Sequence, residues 1–234
     1  MRSTLTSVGT RVAKELLFNA FTETARALAS GRRAEIVDVL AQGERSVEEL
    51  AGEVGQSLAN TSHHLRTLAR AGLVDTRREG TRIYYRLASD RVAEMWAALR
   101  NVAVEHVAGI DRLVEAYLGD RSELRTVGRR ELAGLVAAGA VTVLDVRPPA
   151  EYAAGHIPGA RSVPPDEVQR HVGGLPTDTE IVAYCRGPYC VYADEAVRTL
   201  SRHGYRARRL EDGFPEWRRA GLPVAAGNGD KGNG

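Results

Sequence analysis

Two cysteines in one short segment are the residues with the clearest capacity for chemistry. Cys185 ends an apolar run that is typical of a buried strand, a loop rich in turn-forming residues follows, and a helical pattern then begins. Backbone N–H groups in such a loop, with the positive end of a helix behind them, hold anions well. The same field lowers the pKa of a thiol, and Arg186 adds a positive charge nearby. The segment therefore predicts a Cys185 thiolate that attacks an anionic, sulfur-containing electrophile.

Cys190 lies five residues after Cys185 and has two interpretations. One is a small packed loop residue. The other is a resolving thiol, which would attack a persulfide on Cys185, release sulfide and form a disulfide if the Cα atoms came within about 7 Å. Two thiolates alone do not predict a metal site, because structural zinc normally has four ligands. We expect neither a metal nor a cofactor. The remaining loop positions predicted to line the substrate are Gly187, Pro188, Tyr189 and Val191.

A second set of polar residues lies on a predicted helix between Ser57 and Arg70. A shorter helix precedes it, and Ser46 and Glu49 form a capping-box pattern at the start of that shorter helix. Two β-prone runs around a charged, Gly-containing turn follow within residues 73–87. This order predicts a winged helix-turn-helix, in which the N-terminal residues of the second helix face base edges in the major groove.

The candidate DNA contacts are small, hydrogen-bonding or basic side chains. From Ser57 to Arg86 the chain has six arginines and two acidic residues, the local excess that phosphate contacts require. We expect contacts to double-stranded DNA from Ser57, Asn60, Thr61, Ser62, His63, His64, Arg66, Arg77, Arg78 and Arg82.

The apolar pattern from Asp90 to Leu118 predicts one helix of roughly 40 Å. The apolar face of this helix is too long to be buried by the small units before it. The simplest explanation is that a second copy of the chain buries it in a homodimer. After it, short apolar runs at 141–146 and 181–184 alternate with helical patterns, which predicts an α/β domain with a mainly parallel sheet.

The predicted organisation has four parts. They are a winged helix domain at 11–118, a linker at 119–125, an α/β domain at 126–224 and a disordered tail at 225–234.

The composition narrows the functional classes. The chain has 234 residues, of which 43% are hydrophobic and 26% charged, so a fibrous or disordered chain is excluded. A net charge of +2 excludes a strongly basic nucleic-acid coat, and two cysteines exclude a disulfide-rich scaffold. No stretch approaches 18 apolar residues and the first 14 lack a continuous apolar core, so we expect a cytoplasmic protein without membrane contact.

The segment from Ala27 to Leu87 resembles the ArsR/SmtB family of bacterial repressors, with "SHHL", "AGLV" and the hairpin in family order. The resemblance implies a homodimer formed by the first and last helices, and operator binding that a ligand relieves. The family's usual metal sites are not expected, because the short helix has no cysteine and the last helix has only His106, with Gly109 where a second ligand would stand.

The segment from Val127 to Val224 resembles a rhodanese domain through "VLDVRPPAEYAAGHIPGARSVP", "LPTDTEIVAYCRGPYC", "HGYRARRLEDGFPEW" and "AGLPV". The resemblance implies sulfane sulfur transfer through a persulfide on Cys185. Four further positions match family elements and are interpreted mainly as structural supports: Asp145, Arg147, Glu151 and His156. Gly187 comes one residue early, and Cys190 stands where an Arg or Thr is usual, which leaves thiosulfate use open. The related phosphatase and arsenate reductase branch is a minor alternative, because the Arg that closes its loop is missing.

Three hypotheses follow from the two halves together. The first is a repressor whose rhodanese domain reads sulfane sulfur, or an oxidant, through Cys185 and Cys190. The second is a sulfurtransferase that acts on a small sulfur donor and a thiol or cyanide acceptor, with the winged helix for dimerisation or autoregulation. The third is a repressor whose rhodanese domain is only a binding module, which the intact Cys185 and Arg186 disfavour.

Overall fold

The computed structural model describes residues 9–227, so the predicted tail beyond Gly227 and the first eight residues lie outside the described chain. The helices of this range are α1 (Arg11–Leu28), α2 (Gly31–Leu40), α3 (Val47–Glu53), α4 (Leu58–Arg70), α5 (Asp90–His106), α6 (Ile110–Leu118), α7 (Arg129–Ala137), α8 (Pro149–Ala154), α9 (Val168–His171), α10 (Val191–Arg202) and α11 (Phe214–Arg219). The strands are β1 (Arg45–Ser46), β2 (Val74–Glu79), β3 (Arg82–Leu87), β4 (Thr126–Val127), β5 (Val141–Asp145), β6 (Arg161–Ser162), β7 (Glu180–Tyr184) and β8 (Ala207–Leu210). None of these helices has the length and apolar character needed to cross a membrane.

The chain divides into two compact units inside α5, the first ending at Ala97 and the second beginning at Ala98. This division lies upstream of the predicted linker at 119–125. Each unit has its own buried apolar core, as independent packing requires.

The first unit is the predicted winged helix. Helices α3 and α4 form the helix-turn-helix, and an antiparallel sheet in the order β1-β3-β2 carries the wing. The capping box at α3 is confirmed: Ser46 Oγ accepts from the Glu49 N–H, and the Glu49 carboxylate accepts from the Ser46 N–H at 2.7 Å. Leu65 and Leu68 of α4 are fully buried, which fixes the face that this helix turns toward the core.

The predicted long helix is wrong, because the structure breaks it into α5 and α6. Gly109 has a φ of +85°, in the left-handed region that glycine adopts without strain, and it is the N-cap of α6. The apolar pattern continues across this break, so periodicity alone does not reveal it.

The second unit has a five-stranded parallel sheet in the order β4-β8-β7-β5-β6. Strand β7 lies at its centre and is buried from Ile181 to Tyr184, with one apolar cluster on each face of the sheet. The predicted α/β class with a mainly parallel sheet is confirmed.

The predicted tail starts too early. Ala225 and His156 exchange both backbone hydrogen bonds, at 2.8 and 2.9 Å, and the Gly227 N–H donates to the Ala153 carbonyl at 2.9 Å. These contacts extend the ordered chain through Gly227, because the backbone finds partners that its composition does not predict.

Candidate functional site

The cysteine loop, defined here as residues 185–190, lies at the carboxyl end of the central strand β7. Cys185 follows the strand directly, and Cys190 is the N-cap of α10. In parallel α/β sheets, ligands bind in the crevice outside the carboxyl ends of the strands. The loop is therefore at the position where this architecture places its chemistry.

The two cysteine side chains are brought together and are both free thiols. Cys185 is only 1% exposed, whereas Cys190 is half-buried. Burial raises the pKa of the Cys185 thiol well above its ordinary value, and the hydrogen bond that it donates to Cys190 raises it further. That same hydrogen bond lowers the pKa of Cys190. The expectation of a lowered pKa at Cys185 is thus wrong, because burial outweighs the helix field there.

Backbone N–H groups converge on the two sulfur atoms, as expected of an anion cradle. Those of Gly187 and Ala193 act to lower the pKa of Cys185, although burial exceeds their effect. Those of Arg186 and Tyr192 act in the same direction on Cys190, and the charge of Arg186 adds to them. The cradle therefore makes the Cys190 thiol easier to ionise than the Cys185 thiol.

The segment before α11 closes over the cysteine loop. The Phe214 N–H donates to the Cys185 carbonyl at 3.0 Å. A Cβ on Gly213 would lie 2.3 Å from the backbone nitrogen of Gly187, so only glycine permits this approach of two backbones. Glu216 accepts the Gly213 N–H and also pairs at 3.0 Å with Arg100, whose guanidinium lies over the Tyr189 ring.

Arg186 pairs with Glu151, whose carboxylate is fully buried. The shortest of these contacts is 2.6 Å. A buried, hydrogen-bonded ion pair of this kind fixes the loop backbone to α8. Gly187 is buried, and Pro188, Tyr189 and Val191 are half-buried around the loop.

The other supporting residues lie beneath the loop. Arg147 is fully buried and donates to Asp145 at 2.9 Å and to the Gly155 carbonyl at 2.7 Å. The His156 ring stacks on Tyr152 at 3.7 Å. The Arg147 contacts join the end of β5 to Gly155 after α8, and the His156 ring packs on α8, so a structural role stays the prediction for Asp145, Arg147 and His156.

Three charged residues beside the loop were not foreseen from the sequence. Asp194, in the first turn of α10, has a side chain only 1% exposed and contacts Arg121 and Arg209. Arg121 also donates to the Pro188 carbonyl at 2.9 Å. An acidic residue among the apolar positions of α10 is the one signal that could have indicated a buried charge cluster.

Most predicted DNA contacts lie together on α4. Ser57 is its N-cap and accepts from the Asn60 N–H, while the side chains of Asn60, His63 and Arg66 are exposed. Ser62 and His64 are half-buried, and burial together with the charge of Arg33 lowers the pKa of His64. Thr61 is a correction: it is fully buried, on the face that carries Leu65 and Leu68, and cannot reach a base.

The wing arginines are exposed but differ in their partners. Arg77 pairs with Glu44 at 2.6 Å and with Glu79 at 2.7 Å, and these carboxylates, Glu44 first, raise its pKa. Its charge is therefore already neutralised, which weakens the expectation of a phosphate contact. Arg78 donates to the Gly80 carbonyl. Arg82 is exposed, and a hydrogen bond with Tyr84 raises its pKa.

Comparisons with known proteins divide the chain in the same way. The model of the arsR family of bacterial regulatory proteins matches residues 30–76, and the model of the rhodanese-like domain matches residues 129–220. An HTH-type transcriptional regulator of Mycobacterium tuberculosis, Rv0324, is 47% identical over 214 residues, which cover 92% of this chain and 94% of the relative.

Two further relatives each match one part. A sulfurtransferase of Allochromatium vinosum is 37% identical over 90 residues, which cover 38% of this chain and 82% of its own length. The NMR structure of the homodimeric winged helix-turn-helix DNA-binding domain of a possible ArsR-family regulator from Mycobacterium bovis is 44% identical. It has a TM-score of 0.40 and covers 43% of this chain and 94% of that domain.

Proposed function

We propose, from the premise that this chain belongs to the ArsR family of bacterial regulatory proteins with a C-terminal rhodanese-like domain, that it is an operator-binding repressor controlled by sulfane sulfur. The regulator class follows from the family. Repression, the homodimer and the response to sulfur are what we infer for this chain.

The DNA contacts proposed are those that remain exposed on α4 and the wing. Asn60, His63 and Arg66 lie on one exposed side of α4, while Leu65 and Leu68 hold the opposite side in the core. Polar side chains at the start of such a helix read base edges, and arginines beside it contact phosphates. A two-fold dimer would then bind a palindromic operator.

The homodimer is supported by exposed apolar side chains on α1, α5 and α6. Phe18 and Phe21 of α1 are 56% and 63% exposed, and Leu113 and Tyr117 of α6 are 70% and 65% exposed. Exposed apolar patches of this size on a small domain mark an interaction surface. We propose that a second copy of the chain covers them.

The sulfur chemistry begins at the hydrogen-bonded cysteine pair, with a polysulfide as donor. Cys190 takes the proton of Cys185, and the Cys185 thiolate attacks a sulfane sulfur. The donor's S–S bond breaks, and the donor leaves one sulfur shorter. Cys190 then attacks the inner sulfur of the Cys185 persulfide and passes its proton to the outer sulfur, which leaves as hydrosulfide. The two electrons lost by the thiols reduce one sulfane sulfur to sulfide.

One observation carries this proposal: the only two cysteines of the chain meet in one loop, where the Cys185 thiol lies 3.6 Å from the Cys190 carbonyl oxygen and N–H groups converge on both sulfurs. A thiol pair so placed is suited to exchange between a persulfide and a disulfide. A loop that only binds an anion does not require the second thiol.

Fluorescence anisotropy on DNA from just upstream of the gene tests the proposal. The reduced protein is expected to bind, and polysulfide is expected to raise the Kd at least about tenfold, the scale of a typical allosteric coupling. Cys185→Ser should bind DNA equally well and ignore polysulfide, and Cys190→Ser, which lacks the proton acceptor, should form the persulfide more slowly and stop there, a mass gain of one sulfur. Equal affinity of the wild type in both states would contradict the proposal.

A sulfurtransferase is the second candidate, favoured by the similarity of the second unit to the sulfurtransferase of A. vinosum. It predicts rapid sulfur transfer from a donor to cyanide or a thiol, abolished by Cys185→Ser, with no effect of sulfur on DNA binding. The raised pKa of Cys185 and the adjacent Cys190 favour slow, stoichiometric exchange over turnover. Steady-state transfer rates therefore distinguish the two candidates.

A further inference from the structure

The segment between α6 and β4, residues 119–125, is attached to the cysteine loop and its helix. Arg198 of α10 donates to the Asp120 carbonyl at 2.7 Å, and Leu124 packs against the apolar cluster that includes Cys185. The predicted linker is thus held along α10.

Arg121 makes the most informative of these attachments. Its Nη1 donates to the Pro188 carbonyl at 2.9 Å, in the middle of the cysteine loop, and its Nε donates to Asp194. Asp194 stands in the first turn of α10, the helix that Cys190 caps. One side chain therefore spans the loop and the helix that follows it.

The charges around Asp194 allow the Arg121 side chain to detach from it. Arg209 lies 3.2 Å from the other carboxylate oxygen, so Asp194 has two cationic partners, and the side chain of Arg209 is 6% exposed. Removing the sole partner of a buried charge is strongly unfavourable, but Asp194 would keep Arg209. The side chain of Arg121 is 23% exposed and reaches water on release.

We expect formation of the disulfide to move the middle of the loop. Sulfur atoms in a disulfide are about 2.05 Å apart, far closer than hydrogen-bonded thiols. Cys185 is fixed at the end of β7, buried and bonded to the Phe214 N–H. We therefore expect residues 187–190 to move when the two sulfur atoms come together. This stretch includes Pro188, whose carbonyl accepts the hydrogen bond from Arg121.

We propose that Arg121 is a redox-released clamp: the disulfide between Cys185 and Cys190 displaces the Pro188 carbonyl, Arg121 detaches, and segment 119–125 loses one of its attachments while Arg198 and Leu124 still hold it. Segment 119–125 directly follows α6. A change in the oxidation state of the thiols is therefore transmitted to the helix that carries Leu113 and Tyr117. This inference rests on the proposed sulfur chemistry at the cysteine pair and adds the contact that reports it.

Limited trypsin digestion of the full-length protein tests the clamp directly, because Arg121 is itself a cleavage site. Mass spectrometry follows the initial rate of cleavage between Arg121 and Ser122, with cleavage after the exposed Arg170 as internal reference. Polysulfide is expected to raise the Arg121 rate at least about tenfold, the effect of losing one charge-assisted hydrogen bond on the open population. The reference rate should stay constant.

Two variants separate the clamp from general loosening of the segment. Arg121→Lys keeps the cleavage site but cannot reach both partners with a planar fork, so cleavage should be fast in both states and polysulfide should change it less than about twofold. Arg198→Gln removes only the hold on Asp120. It should raise the rate of cleavage after Arg121 in both the reduced and the polysulfide-treated protein, and it should preserve the ratio of these two rates.

The outcomes distinguish this inference from the proposed function. If the cysteines form the disulfide while the Arg121 rate stays constant, the clamp is wrong. If the rate rises but operator affinity does not change, the clamp stands and the repressor proposal fails. If mass spectrometry finds neither persulfide nor disulfide, both fail.

Discussion

At the scale of single residues, burial and hydrogen bonding shift the pKa values of the two thiols in opposite directions. Cys185 is enclosed at the end of a central strand, where the charged form loses its hydration, whereas Cys190 sits at a helix N-terminus and accepts a hydrogen bond. The residue that matches the family nucleophile is therefore the proton donor of the resting pair. In the proposed mechanism, its activation depends on Cys190 taking that proton.

This division predicts different alkylation profiles for the two thiols. In the wild type, iodoacetamide should modify Cys190 at a lower pH than Cys185, because a lowered pKa increases the thiolate fraction at neutral pH and a raised pKa reduces it. Cys185→Ala removes the hydrogen-bond donor, so the Cys190 midpoint should rise. Peptide mapping by mass spectrometry across pH measures both sites.

Cys185→Ser is the matched control, since a hydroxyl still donates to Cys190. Its Cys190 midpoint should lie between those of the wild type and Cys185→Ala. A midpoint unaffected by either change would show that the hydrogen bond does not set the pKa of Cys190.

At the scale of elements, α4 shows how one helix serves the core and a ligand together. Its cap at Ser57 and its buried Leu65 and Leu68 fix its rotation, so neighbouring polar residues have opposite environments. Asn60 is exposed and Thr61 is buried, although both are small polar residues of the same first turn. Sequence type alone does not separate them.

The helix face predicts opposite effects of two neighbouring substitutions. Asn60→Ala should weaken operator binding by about 1–3 kcal/mol, the range for a base contact. Thr61→Val should leave the affinity unchanged and keep or raise stability, because its buried Oγ1 has no hydrogen-bond partner among the described residues. Anisotropy titrations and thermal unfolding measure the two effects.

Either of two results would overturn this assignment. Wild-type affinity of Asn60→Ala would remove Asn60 from the interface. Weakened binding by a stably folded Thr61→Val would place that buried position in it.

At the scale of the whole molecule, the exposed apolar faces of α1, α5 and α6 require cover. Val12, Leu16 and Phe21 of α1 are more than 60% exposed, although hydrophobic side chains of this size favour burial. Two copies that share these faces would bring two recognition helices onto one operator. Dimerisation and DNA binding are then linked.

A charge introduced into the exposed apolar face of α1 should disrupt both dimerisation and operator binding. Phe21→Glu is expected to yield monomers in analytical ultracentrifugation and to weaken operator binding at least about tenfold, since each half-site would bind alone. Ile83→Glu, in the wing and also exposed, is the control and should remain dimeric. A Phe21→Glu protein that sediments as a dimer would contradict the interface.

The sequence by itself determined the features that depend on near neighbours. The capping box of Ser46 and Glu49, the buried strand before Cys185 and the helix after Cys190 each follow from local spacing and residue type. The same local pattern placed Cys185 and Cys190 in one loop, and two specific resemblances added both domain folds. These features are local because caps, strand patterns and turns are set within a few residues.

Only the tertiary structure decided the features that depend on distant segments. Packing against α2 and α3 decides that Thr61 is buried, and the meeting of β8, α10 and segment 119–125 assembles Asp194 with Arg121 and Arg209. The opposite pKa shifts of Cys185 and Cys190 have the same origin. Burial and long-range charge pairing arise when separate parts of the chain exclude water together, and no local spacing records which parts will meet.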